Sequence, residues 1–151
     1  MWDLAGQDRF SHLSRLYFSK AAGALLVCEQ SNPRSLEGMV RWKQELDCKT
    51  AEGSLSIPSV ILANKDDLRN LGDSEKQSND DLMMSELARD LGVVSWLRTS
   101  AKTGQGIEEG IRALVWQMLE REQLAERGLD RSDSVIQLDT EQRRRASCSC
   151  W

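Results

Sequence analysis

Asp3, Gly6 and Gln7, in Met1-Trp2-Asp3-Leu4-Ala5-Gly6-Gln7, are the residue types that phosphate chemistry requires. A carboxylate at a strand end can hold Mg2+ through water. The N–H of a glycine can approach a terminal phosphate with no Cβ in the way. A glutamine one position on can orient an attacking water. Taken alone, Asp-Leu-Ala-Gly-Gln is a weak signal, because an ordinary polar turn after a strand has the same composition.

Asn64-Lys65-Asp66-Asp67 follows directly on the apolar run Pro58–Ala63. It therefore falls at the carboxyl end of a strand, where open α/β sheets bind ligands. The Asp67 carboxylate can accept both N–H donors of a guanine edge, a pair that adenine does not offer. Asn64 and Lys65 can brace this loop and cover the base. The competing reading is a solvated Asn/Asp turn. Thr99-Ser100-Ala101-Lys102 occupies the same place after a third apolar run, with backbone N–H groups free to meet a base oxygen. Three such motifs in this order, each at a strand end or at the chain start, are specific together. A Gly-x-x-x-x-Gly-Lys-Ser/Thr loop, whose amides and lysine would hold the phosphates, does not occur among the 151 residues.

The elements that must carry these loops are legible in the hydrophobic pattern. Ala22–Cys28 is a continuous apolar run, the mark of a strand covered on both faces of a parallel sheet. Asn32-Pro33 then supplies a capping residue and a first-turn proline. Leu36, Met39, Val40 and Leu46 follow at helical spacing, with Trp42 and Lys43 flanking the stripe. Residues 64 to about 79 read as a polar loop. Asp80-Asp81 starts a second helix through Leu82, Met83, Leu87 and Leu91, closed by Gly92. Val93–Leu97 makes the third strand. The last helix begins after Gly106, with Glu108 and Glu109 at its N-terminus and Ile107, Ile111, Leu114, Val115, Met118 and Leu119 as its stripe. Strands alternating with helices imply βαβ units and a parallel sheet.

Composition excludes several classes. A 40% hydrophobic and 29% charged chain suits one globular domain with polar tails. A net charge of −4 gives no global case for nucleic acid, and no apolar run approaches the ~20 residues that span a bilayer. Cys28 reads as a buried small hydrophobe and Cys48 stands apart from other ligands. With His12 the sole histidine, on the surface, neither a zinc site nor a disulfide scaffold is expected. Trp96 and Trp116 are expected to pack.

The three motifs together resemble the Ras superfamily, and Trp2-Asp3-Leu4-Ala5-Gly6-Gln7-Asp8-Arg9-Phe10 resembles the Rab family of small GTPases. Arg41–Asp47 and Leu62–Lys65 are similar to the Rab subgroup of lysosome-related organelles and the trans-Golgi. The resemblance implies an α/β P-loop NTPase (Ras-like) G domain with a three-layer α/β/α arrangement. Here it runs from the second switch onward, without P-loop or first switch. A partial G domain over 1–124 and a disordered tail over 125–151 are expected. The resemblance places Asp3 and Gly6 at magnesium and γ-phosphate, Gln7 in hydrolysis, Asn64, Lys65 and Asp67 at guanine, and Ser100, Ala101 and Lys102 behind the base. Arg9, Phe10 and Tyr17 match the segment through which Rabs read partners. Two positions depart from the family pattern: Asp66 stands where cysteine is common, and Arg98 where an acidic residue is usual.

Arg143-Arg144-Arg145-Ala146-Ser147-Cys148-Ser149-Cys150-Trp151 joins basic charge to a near-terminal Cys-x-Cys, similar to the double geranylgeranylation site of Rabs. Lipidation at Cys148 and Cys150 would anchor stably, and the arginines add attraction to anionic lipid. Trp151 departs from the family, in which Cys-x-Cys usually ends the chain. The implied activity is GTP binding and hydrolysis with GTP/GDP and Mg2+ in vesicle traffic. The implied partners are Rab effectors, exchange factors and the prenylation escort machinery. The expected location is the cytoplasmic face of trans-Golgi, endosomal or lysosome-related membranes, with the unprenylated chain cytosolic. The missing phosphate loop supports an alternative expectation: a truncated, non-catalytic interaction module with negligible nucleotide affinity. An uncovered edge at the first strand and bare apolar faces on the last helix would accompany it.

Overall fold

The computed structural model describes residues 1, 3–4, 18, 21–50, 57–69 and 74–126. The chain divides into two compact units, Met1–Met118 and Leu119–Trp151. The first carries every loop of interest. Its elements are β1 (Ala24–Glu29), α1 (Pro33–Thr50), β2 (Ser59–Asn64), a 3-10 turn (Asp66–Leu68), α2 (Ser74–Asp90), β3 (Ser95–Arg98) and the start of α3 (Ile107–Glu126).

The strands form a parallel sheet in the order β1-β2-β3. β2 is central, which is why Val60, Ile61, Leu62 and Ala63 are all buried. Leu26 lies beside Ile61 and Cys28 beside Ala63, while Leu25 lies beside Val60 and Val27 beside Leu62. The alternation sorts the core into two layers. Leu26, Cys28, Ile61, Ala63 and Trp96 pack with Met39 of α1 and with Met84 and Ala88 of α2. Val60, Leu62, Leu25 and Leu97 pack with Leu114 and Met118 of α3 on the other face. Each side chain wholly removed from water, such as Ile61 or Met84, contributes about 1.5–3 kcal/mol.

The expected α/β/α layering is present, with several boundaries shifted. β1 starts at Ala24 and ends at Glu29, and β3 runs Ser95–Arg98 rather than Val93–Leu97. The second helix begins at Ser74, not at Asp80, and a 3-10 turn occupies part of the expected loop. The sequence Ser74–Asp81 is wholly polar, so it offers no hydrophobic period by which a helix could be detected. Met84 is the residue buried there, while Leu82 and Met83 are exposed. Three consecutive apolar residues leave the phase of a helix open. Gly92, at φ 61°, closes α2 as expected, its N–H donating to Arg89 O.

α3 is turned from the expected stripe. Gly110 faces the sheet, where a Cβ would come within 2.5 Å of Leu62 Cδ2. Gly110 and Leu114 are one turn apart and both buried, which leaves Ile111 and Val115 partly exposed and Trp116 73% exposed rather than packed. Among the described residues β1 pairs on one side only, and Val27 is 58% exposed.

Candidate functional site

The carboxyl ends of β2 and β3 bring two of the three motifs together. Thr99 N–H donates to Ala63 O (2.9 Å), and Asp66 N–H donates to Thr99 O (3.0 Å). These backbone bonds fix the loop after β2 against the loop after β3. Side chains complete the junction. Ser100 Oγ donates to Asp67 Oδ1 at 2.6 Å, and Ala101 N–H donates to Asn64 Oδ1 at 2.9 Å. Ala101 N–H was expected to be free for a base oxygen; in this arrangement Asn64 occupies it. Asn64 thus serves as the brace between the loops, the role its amide suits.

Asp67 Oδ2 lies 3.9 Å from Lys102 Nζ, and the Asp67 side chain retains 16% exposure. Ser100 Oγ takes one lone pair of Oδ1, so the carboxylate keeps acceptor sites on both oxygens. A planar pair of N–H donors fits such an acceptor bidentately.

Lys65 stands in the left-handed region, φ 68° and ψ 31°, the one positive-φ residue other than glycine among the described residues. That backbone aims its side chain at the end of β1, where Nζ donates to Glu29 Oε2 at 2.6 Å. Glu29 is held in turn, because its N–H donates to Ser35 Oγ at 3.0 Å and its Oε1 accepts from Ser31 Oγ. The hydrogen bond from Lys65, assisted by its charge and by Ser31 and Asn32, holds the Glu29 carboxyl below its ordinary range.

Two glycines shape the loop that follows β3. Gly104 (φ 84°) and Gly106 (φ 70°) take a conformation that L side chains rarely adopt. Gly106 passes so close to β3 that a Cβ there would lie 2.1 Å from Arg98 O. This lets Ser100 N–H reach Gln105 O and Thr103 N–H reach Ser100 Oγ, which fixes the serine that grips Asp67.

A model of the Ras family matches residues 1–120. The chain belongs to the Ras family. Within it the chain is related to the Rab-32 subgroup. It is 37% identical over 125 residues to Ras-related protein Rab-32 of Mus musculus, covering 82% of this chain and 53% of that protein. It is 36% identical to Rab-32A of Dictyostelium discoideum, over 81% of this chain and 55% of the relative. It is 33% identical to Rab-7L1 of Rattus norvegicus, over 79% and 56% respectively. The chain spans about half the length of these curated relatives.

Asn64, Lys65, Asp67, Ser100, Ala101 and Lys102 thus converge at one end of the sheet. Asp3 is exposed, and among the described residues no group of three or more His, Cys, Asp or Glu side chains is gathered for a metal ion. Gly6, Gln7, Arg9, Phe10, Tyr17, Cys148 and Cys150 lie outside the described residues. Sequence reasoning did not single out Glu29, Gln105 or Gly106 for the site. Only Gly106 carried a signal, as a glycine just after a motif; Glu29 and Gln105 enter through contacts that no spacing encodes.

Proposed function

We propose that this chain carries the base-reading end of a Rab-type small GTPase, a switch that binds and hydrolyses GTP to regulate vesicle traffic. The observation that carries this reading is the junction of Asp67 with Ser100 and of Asn64 with Ala101, which leaves one carboxylate presented as a double acceptor. Asp67 would read the guanine edge, Lys65 would lie over the base, and Ser100, Ala101 and Lys102 would support it. Asp3 and Gly6 would serve Mg2+ and the γ-phosphate, and Gln7 would orient the attacking water. Arg9, Phe10 and Tyr17 would meet effectors and exchange factors.

Prenylation at Cys148 and Cys150, after delivery by an escort, would hold the chain on the cytoplasmic face of endosomal, trans-Golgi or lysosome-related membranes. Mass spectrometry of the chain from mammalian cells tests this. Two geranylgeranyl additions are expected, and an unmodified mass in the membrane-free fraction overturns it.

The alternative is a non-catalytic interaction module that keeps the two joined loops without turning over nucleotide. Titration with GDP, GTP and ADP in Mg2+, followed by phosphate release from GTP, separates the two. Guanine-selective binding with turnover supports the switch. Binding that does not distinguish guanine from adenine, or no turnover, favours the module.

A further inference from the structure

Asp66 lies between Lys65 and Asp67, and Arg98 ends β3 immediately before the second base loop. The two carry opposite charges that meet. Arg98 Nη1 donates to Asp66 Oδ1 at 3.4 Å and to Gln30 Oε1 at 3.3 Å, and its Nη2 donates to Asp81 Oδ1 of α2. The guanidinium also lies 5.7 Å from the centre of the Trp96 ring. The second oxygen of Asp66 accepts from Gln105 Nε2 at 3.2 Å. Both charged side chains are largely enclosed, 16% and 14% exposed, where an ion pair is screened far less than on open surface.

We propose that Asp66 and Arg98 are positioning residues: their ion pair locks the Asn64–Asp67 loop to the Ser100–Lys102 loop and so sets the angle of the Asp67 carboxylate. This rests on the guanine-site reading above. Asp66 touches no base atom itself. Its Oδ1 meets Arg98 from β3 and Arg69 from its own turn, both at 3.4 Å, and its Oδ2 accepts from the Gln105 turn, which ties the segment beside Asp67 to β3 and to the loop after it. Arg98 is the rigid side of the lock. Its planar fork reaches the corner after β1, the base loop and α2 at once, a geometry that a lysine ammonium does not reproduce.

The test uses the full chain and the variants Arg98→Met, Arg98→Lys, Asp66→Asn and the Asp66→Asn/Arg98→Met double. Amide hydrogen exchange is read at Asp66 and Ala101, whose N–H groups cross between the loops, and at Val60 and Leu62 as core references. Each single variant is expected to speed exchange at Asp66 and Ala101 by about tenfold, with the core amides unchanged and the double no worse than the singles. Arg98→Lys is expected to restore only part of the protection. Unchanged loop amides, equal acceleration in the core, or additive effects in the double overturn the lock.

A second arm compares GDP with inosine diphosphate, which lacks the exocyclic amine and offers Asp67 one donor instead of two. The GDP preference is expected to fall about tenfold in Arg98→Met. A preserved ratio alongside lowered stability overturns the positioning role. If the wild-type chain binds neither nucleotide, the guanine reading fails, and the exchange arm alone decides the lock.

Discussion

Ser100 Oγ donates to Asp67 Oδ1 at 2.6 Å, joining residues 33 positions apart. The bond is short and made to a carboxylate, so it is charge-assisted and among the stronger contacts of the site. The serine side of this pair is wholly buried. Ser100→Ala is therefore expected to lower guanine nucleotide affinity about tenfold while leaving the sheet folded. Asp67→Asn replaces one acceptor by a donor and is expected to abolish the preference for GDP over ADP. Competition titration of the two nucleotides against each variant reads both effects.

Gly106 and Gly38 receive the same substitution with opposite signs. A Cβ at Gly106 meets Arg98 O at 2.1 Å from a backbone at φ 70°. Gly106→Ala is expected to cost about 2–3 kcal/mol. Gly38 lies within α1 and a Cβ there meets nothing within 4 Å. Gly38→Ala is expected to stabilise by about 0.5–1 kcal/mol. Urea unfolding midpoints of the two variants should move in opposite directions.

Lys43 is buried along α1, and Asp47 one turn on receives its Nζ at 2.5 Å and 2.7 Å. The ammonium side chain is 2% exposed and the carboxylate 40%. Removing Asp47 strips a buried charge of this partner, so Asp47→Ala is expected to cost about 2 kcal/mol. Lys43→Met keeps the stem and removes the charge, and is expected to cost less than half as much. Denaturant melts of the two variants measure the ranking.

The Glu29–Lys65 pair depends on acid. The carboxyl of Glu29 is held below its ordinary value when folded, by Lys65 first. A depressed carboxyl stabilises above its unfolded pKa and ceases to do so as pH falls through the folded one. Below the ordinary glutamate range Lys65 is thus expected to lose its anchor. A carbon-detected NMR titration should give Glu29 a midpoint below free glutamate, and Lys65→Met should return it to the ordinary range.

Cys28 behaves in the opposite sense. Burial pushes its thiol up from 9.0 to about 11. The folded state then favours the protonated thiol, so stability is complete below pH 9 and declines as pH rises from about 9 to about 11. Iodoacetamide at pH 8, followed by peptide mapping, should modify exposed Cys48 and spare Cys28 in the folded chain.

The strands and the loops at their carboxyl ends were legible because their signals are local. A run such as Val60–Ala63 must be covered on both faces, and a polar tetrapeptide at its end must be a loop. The helix phases were less so. Leu82-Met83-Met84 admits several faces, and the chain buries Met84 because Ile61 and Ala63 of the sheet stand opposite. Gly110 was silent for a similar reason: its missing side chain matters only beside Leu62. Lys43 read as a flank of its stripe, since no periodicity distinguishes a lysine in water from one folded back onto Asp47. The partners of Asp66 and Arg98 come from five separate segments and could not be paired by spacing.

Lys65 faces two demands that favour different amino acids. Its backbone, at φ 68°, suits glycine or asparagine, whereas Glu29 at 2.6 Å requires a long cationic arm. Glycine there would relax the main chain and surrender the ammonium; arginine would keep the charge and the strain. A saturation library at this codon should therefore recover lysine and arginine for the side chain, glycine and asparagine for the main chain, and little else, because no residue meets both demands. Mutational tolerance at position 65 is set by this conflict between main chain and side chain, and is far narrower than its exposure would suggest.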